Sequence, residues 1–137
     1  MRLRSPKTAR RRVFTYDFDA TLTLPPKAGQ AQSSEPNRLL FAVLRQQAFE
    51  GHRIVIVTGR KAANESQPWI DANYPGGTCV VDFVERHRLP IADVIYVGHQ
   101  EKGRVLLSLD SQLHFDDDAV ALADARRHGI QTVAVRS

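Results

Sequence analysis

Short apolar or β-branched runs recur along the chain, separated by segments with helical spacing or turn residues. Five strands are predicted from these runs, at residues 12–18, 54–57, 93–97, 112–115 and 132–135. The second run is apolar throughout, as is typical of a parallel strand buried on both faces. Strands that alternate with helices predict right-handed crossovers and a parallel sheet. We therefore expect an α/β fold, a three-layer parallel sheet of about five strands with helices on both faces.

The first helix is expected to begin at a cap formed by Ser34 or Glu35, with Pro36 in its first turn. The preceding residues 22–35 are rich in Pro, Gly, Gln and Ser, which predicts a loop. Gly51 is expected to end the helix. Its buried face is predicted from helical periodicity, with Leu40, Val43, Leu44 and Ala48 at the centre and Leu39, Phe41 and Phe49 widening it.

Three further helices are predicted downstream. One runs from about residue 61 to 74, is restarted at Pro68, and is broken by Pro75-Gly76-Gly77. A short helix over 102–109 and an Ala-rich helix over 118–128 follow. Residues 79–88 combine helical spacing with many β-branched residues, so a helix and a strand both remain open there.

The 137 residues, 42% hydrophobic and 25% charged, are expected to form one globular domain. The net charge of +4 is unevenly placed, because residues 1–12 hold six basic and no acidic side chains, and the rest hold 13 basic against 15 acidic ones. We expect a basic, flexible tail at 1–11 and a folded domain at 12–137. The tail is either a solvated terminus or a segment that contacts nucleic-acid phosphates.

The single cysteine, Cys79, excludes an internal disulfide and gives no zinc-ligand spacing. No apolar run approaches the ~20 residues that a membrane helix needs. The basic N-terminus meets Asp17 soon after a short strand, so no apolar core of a signal peptide follows it. A cytoplasmic protein that does not bind a membrane is therefore expected.

Two carboxylates, Asp17 and Asp19, come at the end of the first predicted strand. Both can reach the crevice that the carboxyl ends of parallel strands form. One carboxylate can attack phosphorus to give an acyl phosphate, and the other can protonate the leaving oxygen and then activate water. A surface turn capped by these residues is the alternative, and the pair alone does not exclude it.

A second acidic segment, Asp116-Asp117, follows the fourth predicted strand. Magnesium takes hard oxygen ligands in octahedral geometry, so one carboxylate from each of two strands suits it. Alternatively, these residues and Asp118 only cap the next helix, where acidic groups suit the helix dipole. Capping accounts for Asp118, but crowded carboxylates repel one another unless a cation is present. The segment therefore favours a metal site.

Two further segments offer groups for a phosphoryl ligand. Thr58-Gly59 ends the second strand and is expected to open a helix, where a hydroxyl and backbone N–H groups bind phosphate. Lys102 begins the helix before the fourth strand, so its ammonium can reach over the crevice and offset the charge of nucleophile and phosphate. Each signal is weak alone, and their order along the chain strengthens them.

Together these segments resemble, in order, the four motifs of the haloacid dehalogenase superfamily of phosphohydrolases, namely Asp17-x-Asp19-x-Thr21, Thr58, Lys102 and Asp116-Asp117. The resemblance spans about residues 12–135 and implies a Rossmann-like fold. Ala20 stands where many members have glycine. The resemblance implies a phosphatase in which Asp17 is the nucleophile and Asp19 the acid and base, with the phosphoryl group bound by Thr58 and Lys102. It implies Mg²⁺ bound by the Asp17 carboxylate, the Asp19 main-chain carbonyl and Asp116, with Asp117 in support.

Substrate choice in that superfamily depends on cap insertions, and both insertion points here are too short for a cap domain. Such members act on large substrates or cover the site by self-association, so a homo-oligomer is one expectation.

Thr58-Gly59-Arg60 with Trp69-Ile70 also resembles the polynucleotide 3′-phosphatase branch, which adds Gly59 and Arg60 to the expected substrate-binding groups. We expect a phosphatase for nucleic-acid ends or nucleotides. A sugar-phosphate phosphatase and a non-enzymatic nucleic-acid-binding module are the alternatives. A dinucleotide-binding domain is disfavoured because no G-x-G-x-x-G follows a strand.

Overall fold

Five parallel strands form one sheet in the computed structural model, which describes residues 11–136. The strands are β1 (Val13–Tyr16), β2 (Arg53–Thr58), β3 (Asp93–Tyr96), β4 (Ser111–Asp116) and β5 (Thr132–Ala134), and their spatial order is β3-β2-β1-β4-β5. The first strand therefore lies at the centre, paired with β2 on one side and β4 on the other. The predicted α/β architecture and strand count are confirmed. Of the expected tail, only Arg11 lies within the described residues.

Five α-helices lie among the described residues, namely α1 (Arg38–Phe49), α2 (Gln67–Asn73), α3 (Val80–Arg86), α4 (Lys102–Ser108) and α5 (Ala119–Arg127), and four of them pack on the two faces of the sheet. Alternate residues of β2 separate two cores. Ile54 and Ile56 pack in a cluster with α1 and α3, whereas Val55 and Val57 pack in a cluster with α4 and α5. The continuous apolar run of β2 is thus explained by burial on both faces.

The first helix begins later than predicted. Its cap is Asn37, whose side-chain oxygen accepts from the Leu40 N–H at 3.3 Å. Pro36 lies outside the helix and forms an isolated antiparallel bridge with Thr23. The expected cap at Ser34 or Glu35 is therefore wrong, because this bridge holds the chain extended up to Pro36.

The buried face of α1 is also narrower than predicted. Leu40, Phe41 and Leu44 are buried, but Leu39 is 85% and Phe49 87% exposed, and Val43 is exposed as well. Each residue turns the helix by about 100°, so positions 39 and 43 face away from the ridge formed by 40 and 44. The prediction that Val43 lies at the centre of the buried face, and that Leu39 and Phe49 widen it, is therefore wrong.

The segment between β2 and β3 contains three short helical pieces. Residues 62–64 form a 3₁₀ turn, and α2 starts afresh after Ser66, whose hydroxyl accepts from the Trp69 N–H at 3.3 Å. Pro68 lies in the first turn of α2, where no N–H is needed. The ambiguous residues 79–88 form α3, whose buried Val80 and Phe83 lie one turn apart. No separate cap domain is present among residues 11–136, and none of the helices there has the length and apolar character needed to span a bilayer.

Candidate active site

The carboxyl ends of the three central strands bring the predicted site residues together. Asp17 follows β1 directly, Asp116 ends β4 and Thr58 ends β2. The Asp17 N–H donates to the Phe115 carbonyl at 2.8 Å, which aligns the ends of β1 and β4. An open cleft of about 580 Å³ lies over this edge, and its lining includes all eight predicted residues, Asp17, Asp19, Thr58, Gly59, Arg60, Lys102, Asp116 and Asp117.

Lys102 links the two central carboxylates. Its ammonium donates to Asp17 Oδ1 and to Asp116 Oδ2, each at 2.8 Å, and its side chain is 9% exposed. Lys102 is the first residue of α4. The next residue, Gly103, donates its N–H to Asp124 Oδ2 on α5 at 2.6 Å. This bond anchors the start of α4 and thereby places the ammonium at the floor of the cleft.

An acidic cluster stands beside this lysine. Asp17, Asp116 and Asp117 each offer an oxygen within 4.8 Å of the others, and the first two are buried. Three carboxylates against one ammonium leave two negative charges in a small volume. Such a cluster of oxygen donors suits a hard divalent cation such as Mg²⁺. The Asp19 carboxylate is outside this cluster because both of its oxygens accept from Arg60, so its main-chain carbonyl is the group expected as a further ligand.

The pKa values in this cluster show why a cation fits. Burial raises the pKa of the Asp17 carboxyl well above its usual range, Lys102 opposes this, and the Asp116 charge raises it further. Burial disfavours the charged form of Lys102, but Asp17 and Asp116 together raise the pKa of its ammonium. The pKa of Asp116 lies below its usual range, because bonds from His114 and Lys102 outweigh its burial. An added positive charge would therefore stabilise the ionised form of the Asp17 carboxyl.

A buried polar chain supports Asp116 from beneath and was not predicted. His114 Nε2 lies 2.9 Å from Asp116 Oδ2, and His114 Nδ1 lies 2.8 Å from Thr15 Oγ1, which is 2.8 Å from Ser111 Oγ. Burial lowers the pKa of His114, so the ring is neutral with one donor and one acceptor. A carboxylate only accepts, so Nε2–H donates to Asp116 and Nδ1 accepts from the Thr15 hydroxyl. The sequence feature that could have indicated this polar chain is the single histidine within the predicted strand 112–115.

Arg60 holds the other carboxylate of the first motif. Its Nε donates to Asp19 Oδ2 at 2.9 Å and its Nη2 to Asp19 Oδ1 at 2.8 Å, while Nη1 donates to Glu65 at 3.1 Å and to the Thr78 carbonyl at 2.7 Å. The guanidinium carbon lies 4.9 Å from the Phe18 ring centroid. The Arg60 side chain is 8% exposed and Asp19 remains 41% exposed. Arg60, expected to bind substrate, thus directs its donors to protein groups and presents Asp19 to the cleft.

Thr58 and Gly59 differ from expectation in their backbone. They are followed by a bend, and the 3₁₀ turn begins only at Ala62, so no helix opens at this point. The Thr58 hydroxyl is buried at the strand end and accepts from the Arg60 N–H at 3.2 Å. Any phosphate here would meet the N–H groups of a bend rather than a helix N-terminus.

The turn after Asp19 connects the first acidic segment to the second. Ala20 has φ 57°, a left-handed conformation that glycine adopts without strain. The Thr21 hydroxyl lies 3.2 Å from Asp117 Oδ1 and 3.4 Å from Asp17 Oδ2, so it joins the two acidic segments. Asp118 caps α5 by accepting from the Ala121 N–H at 3.2 Å, as the capping interpretation predicted for this residue.

Comparison with solved structures finds this fold elsewhere. A chain from a structure of the Pnkp1/Rnl/Hen1 RNA repair complex aligns with a TM-score of 0.66 and 16% identity over 91% of this chain and 42% of its own length. A chain from another structure of that complex aligns with a TM-score of 0.67 and 16% identity over 93% and 46%. This protein thus spans less than half of either chain, and at this identity the likeness concerns the fold. No protein-family model and no curated protein matches the sequence.

Proposed function

We propose that this protein is a magnesium-dependent phosphomonoesterase of the haloacid dehalogenase type, which works through an aspartyl-phosphate intermediate. The observation that carries the proposal is the pairing of Asp17 with Lys102 beside Asp116 and Asp117, at the floor of an open cleft. A nucleophile, a phosphate-binding cation and a divalent-ion site are thereby combined at one strand edge.

In the first half-reaction, an Asp17 carboxylate oxygen attacks phosphorus and the ester oxygen leaves. Asp19 faces the cleft and is oriented by its ion pair with Arg60. It supplies the proton that the leaving oxygen takes. In the second half-reaction, Asp19 accepts a proton from water, the water oxygen attacks phosphorus, and the bond to Asp17 breaks to release inorganic phosphate. Lys102 stays beside Asp17 and offsets the charge on the phosphoryl oxygens.

Asp17, Asp116, Asp117 and the Asp19 carbonyl would hold the cation. A bound Mg²⁺ would supply positive charge that stabilises the negative charge developing on the phosphoryl group. Three hydrogen-bond donors of the protein orient the Asp116 carboxylate for this role. Lys102 and His114 both donate to Asp116 Oδ2, and the Asp118 N–H donates to Asp116 Oδ1 at 3.1 Å, so the carboxylate is held in one orientation.

The substrate class that we favour is a nucleic-acid end or a nucleotide. The cleft is open and no cap domain is present among the described residues, so a long substrate has room to enter. Two solved chains with a similar fold come from structures of an RNA repair complex, which is consistent with such a substrate. A sugar phosphate is the competing substrate, since the same catalytic groups serve any phosphomonoester.

The test is a phosphatase assay with Mg²⁺ on 3′- and 5′-phosphorylated oligonucleotides, mononucleotides and sugar phosphates, with Asp17→Asn as the matched variant. We expect turnover by the wild-type protein, loss of turnover in Asp17→Asn, and poor activity with Ca²⁺, which takes more ligands at longer distances. Near wild-type turnover by a correctly folded Asp17→Asn protein, or full activity after exhaustive chelation, would refute the proposal. Preference for sugar phosphates would correct the substrate class alone.

A further inference from the structure

A second cavity adjoins the catalytic cleft and has no part in the mechanism above. It has a volume of about 270 Å³ and shares Gly59, Arg60 and His99 with the lining of the cleft. Pockets for drug-sized ligands start at roughly 300 Å³, so this one suits a single ring system. A group bound there would lie next to a phosphate bound in the cleft.

One side of the cavity is aromatic. Trp69 on α2 and Tyr74 at its end both line it, with ring centroids 5.6 Å apart at an interplanar angle of 63°. Both side chains are only half-buried. Aromatic rings of this kind stack on nucleobases with little regard to sequence. A purely structural aromatic pair has no need of a polar cavity beside it.

Two polar groups of the cavity, on Lys61 and Asn64, are free to bind a ligand. Within the described part of the chain, the Lys61 ammonium has no ion pair and the Asn64 carboxamide has no hydrogen-bond partner, although both line the cavity. Glu65, the acidic residue of this lining, is already paired with Arg60 at 3.1 Å. The available charge is therefore positive and can bind a further phosphate. The Asn64 amide can both donate to and accept from a base edge.

We infer that this cavity binds the nucleoside next to the phosphate that is removed, with its base on Trp69 and the following phosphate near Lys61. The inference rests on the proposed phosphatase function and deepens it by assigning a nucleoside subsite, which favours an oligonucleotide end over a mononucleotide. A sugar phosphate or a nucleoside monophosphate would leave Lys61 without an anion, because its one phosphate lies in the cleft.

The experiment uses the fact that Trp69 is the only tryptophan in the chain. Its fluorescence is measured in the full-length Asp17→Asn protein, which is expected to bind without turnover, while a terminally phosphorylated oligothymidylate is added. Inorganic phosphate and glucose phosphate are titrated in parallel. We expect saturable quenching by the oligonucleotide and none by the other two ligands. Quenching by glucose phosphate and not by the oligonucleotide would overturn the inference in favour of a sugar subsite.

Kinetics provide the second readout. Trp69→Leu is expected to raise KM for the oligonucleotide by about tenfold or more with kcat little changed, since a lost stacking contact weakens binding alone. Trp69→Phe keeps a ring and should retain most of the affinity, and Lys61→Ala should flatten the salt dependence of KM. Phe49→Leu, which removes an aromatic ring that is 87% exposed at the end of α1, is the matched control.

The outcomes separate the two proposals. Unchanged oligonucleotide KM in Trp69→Leu, or an equal loss with glycerol phosphate, would overturn the nucleoside subsite while phosphatase activity stands. If no phosphomonoester is hydrolysed but the quenching persists, the proposed catalytic function fails and the binding cavity stands.

Discussion

Arg60 and Asp19 form a two-point ion pair, with Nε to Oδ2 at 2.9 Å and Nη2 to Oδ1 at 2.8 Å. The planar fork of the guanidinium matches both carboxylate oxygens, which fixes the plane of the carboxylate as well as its position. Glu65 and the Thr78 carbonyl hold the remaining donors of Arg60. Asp19, the proposed acid and base, is therefore oriented by Arg60, whose own position is fixed by its other hydrogen bonds.

The first prediction concerns this clamp. Arg60→Lys keeps the charge but loses the fork, so the Asp19 carboxylate should lose its fixed plane. We expect kcat for alkyl phosphates to fall by about 10–100-fold, within the ~10²–10⁴-fold ceiling of an acid–base group. Steady-state kinetics of Arg60→Lys, Asp19→Asn and the double variant measure this.

The double variant tests whether the two residues act as a unit. We expect it to be no slower than Asp19→Asn alone, because Arg60 acts through Asp19. Arg53→Lys, at the exposed beginning of β2, is the control for a general loss of arginine. Fully additive losses in the double variant would show that Arg60 has a separate role.

The second prediction separates proton donation from charge at Asp19. Asp19→Asn should slow alkyl phosphates, whose leaving oxygens need a proton, much more than aryl phosphates with acidic leaving groups. The measurement is kcat/KM across a series of esters of increasing leaving-group pKa, for the wild type and the variant. An identical loss along the whole series would argue against an acid role.

The third prediction concerns His114, which donates to Asp116 from a fully buried position. His114→Leu should weaken Mg²⁺ binding by about 10–100-fold, as is typical for groups that orient a metal ligand. His114→Gln can place a donor near the same point and should retain most of the affinity. Calorimetric titration of the protein with Mg²⁺, without substrate, measures the effect.

Thermal unfolding of the metal-free His114 variants provides the control. A residue that only fills the core would lower Tm in His114→Leu and leave the Mg²⁺ affinity unchanged. That result would remove His114 from the site and leave it as a packing residue.

The fourth prediction concerns Ala20, whose φ of 57° places it in the left-handed region. Such a conformation costs a non-glycine residue about 1–2 kcal/mol, and glycine loses part of this gain through unfolded-state entropy of about 0.4–1 kcal/mol. Ala20→Gly should therefore stabilise the protein by roughly 0.5–1 kcal/mol in urea denaturation. Ala123→Gly, on the exposed side of α5, should instead destabilise it by about 0.5–1 kcal/mol. Destabilisation by both substitutions would show that the Ala20 methyl group makes a needed contact.

Much of the fold could be predicted because burial on both faces leaves a clear mark on the chain. The strand run at 54–57 is apolar at every position, and β2 extends it by only one residue on each side. The convergence of the acidic segments after β1 and β4 could be predicted as well, since parallel strands end at the same edge. These features depend on local pattern and topology alone.

Other features depend on which surfaces meet, and local pattern does not carry that information. Leu39 and Leu40 are equally apolar, and only the packing of α1 on the sheet makes one exposed and the other buried. Arg60 is held beside Asp19 in part by the Thr78 carbonyl, which precedes α3 and lies 18 residues further along the chain. The local sequence does not indicate whether the arginine side chain faces the substrate or the protein interior.

The central position of β1 has a consequence for how the protein acquires its activity. Lys102 and Asp17 meet across 85 intervening steps of sequence, and β1 pairs with β4 as well as with its nearer neighbour β2. Closing such long loops costs chain entropy before any contact stabilises them. A chain that has folded only through β3 has its first carboxylates in place and no lysine to pair with them. Recovery of the proposed phosphatase activity during refolding would therefore report the docking of the last third of the chain, and not the formation of the first strands.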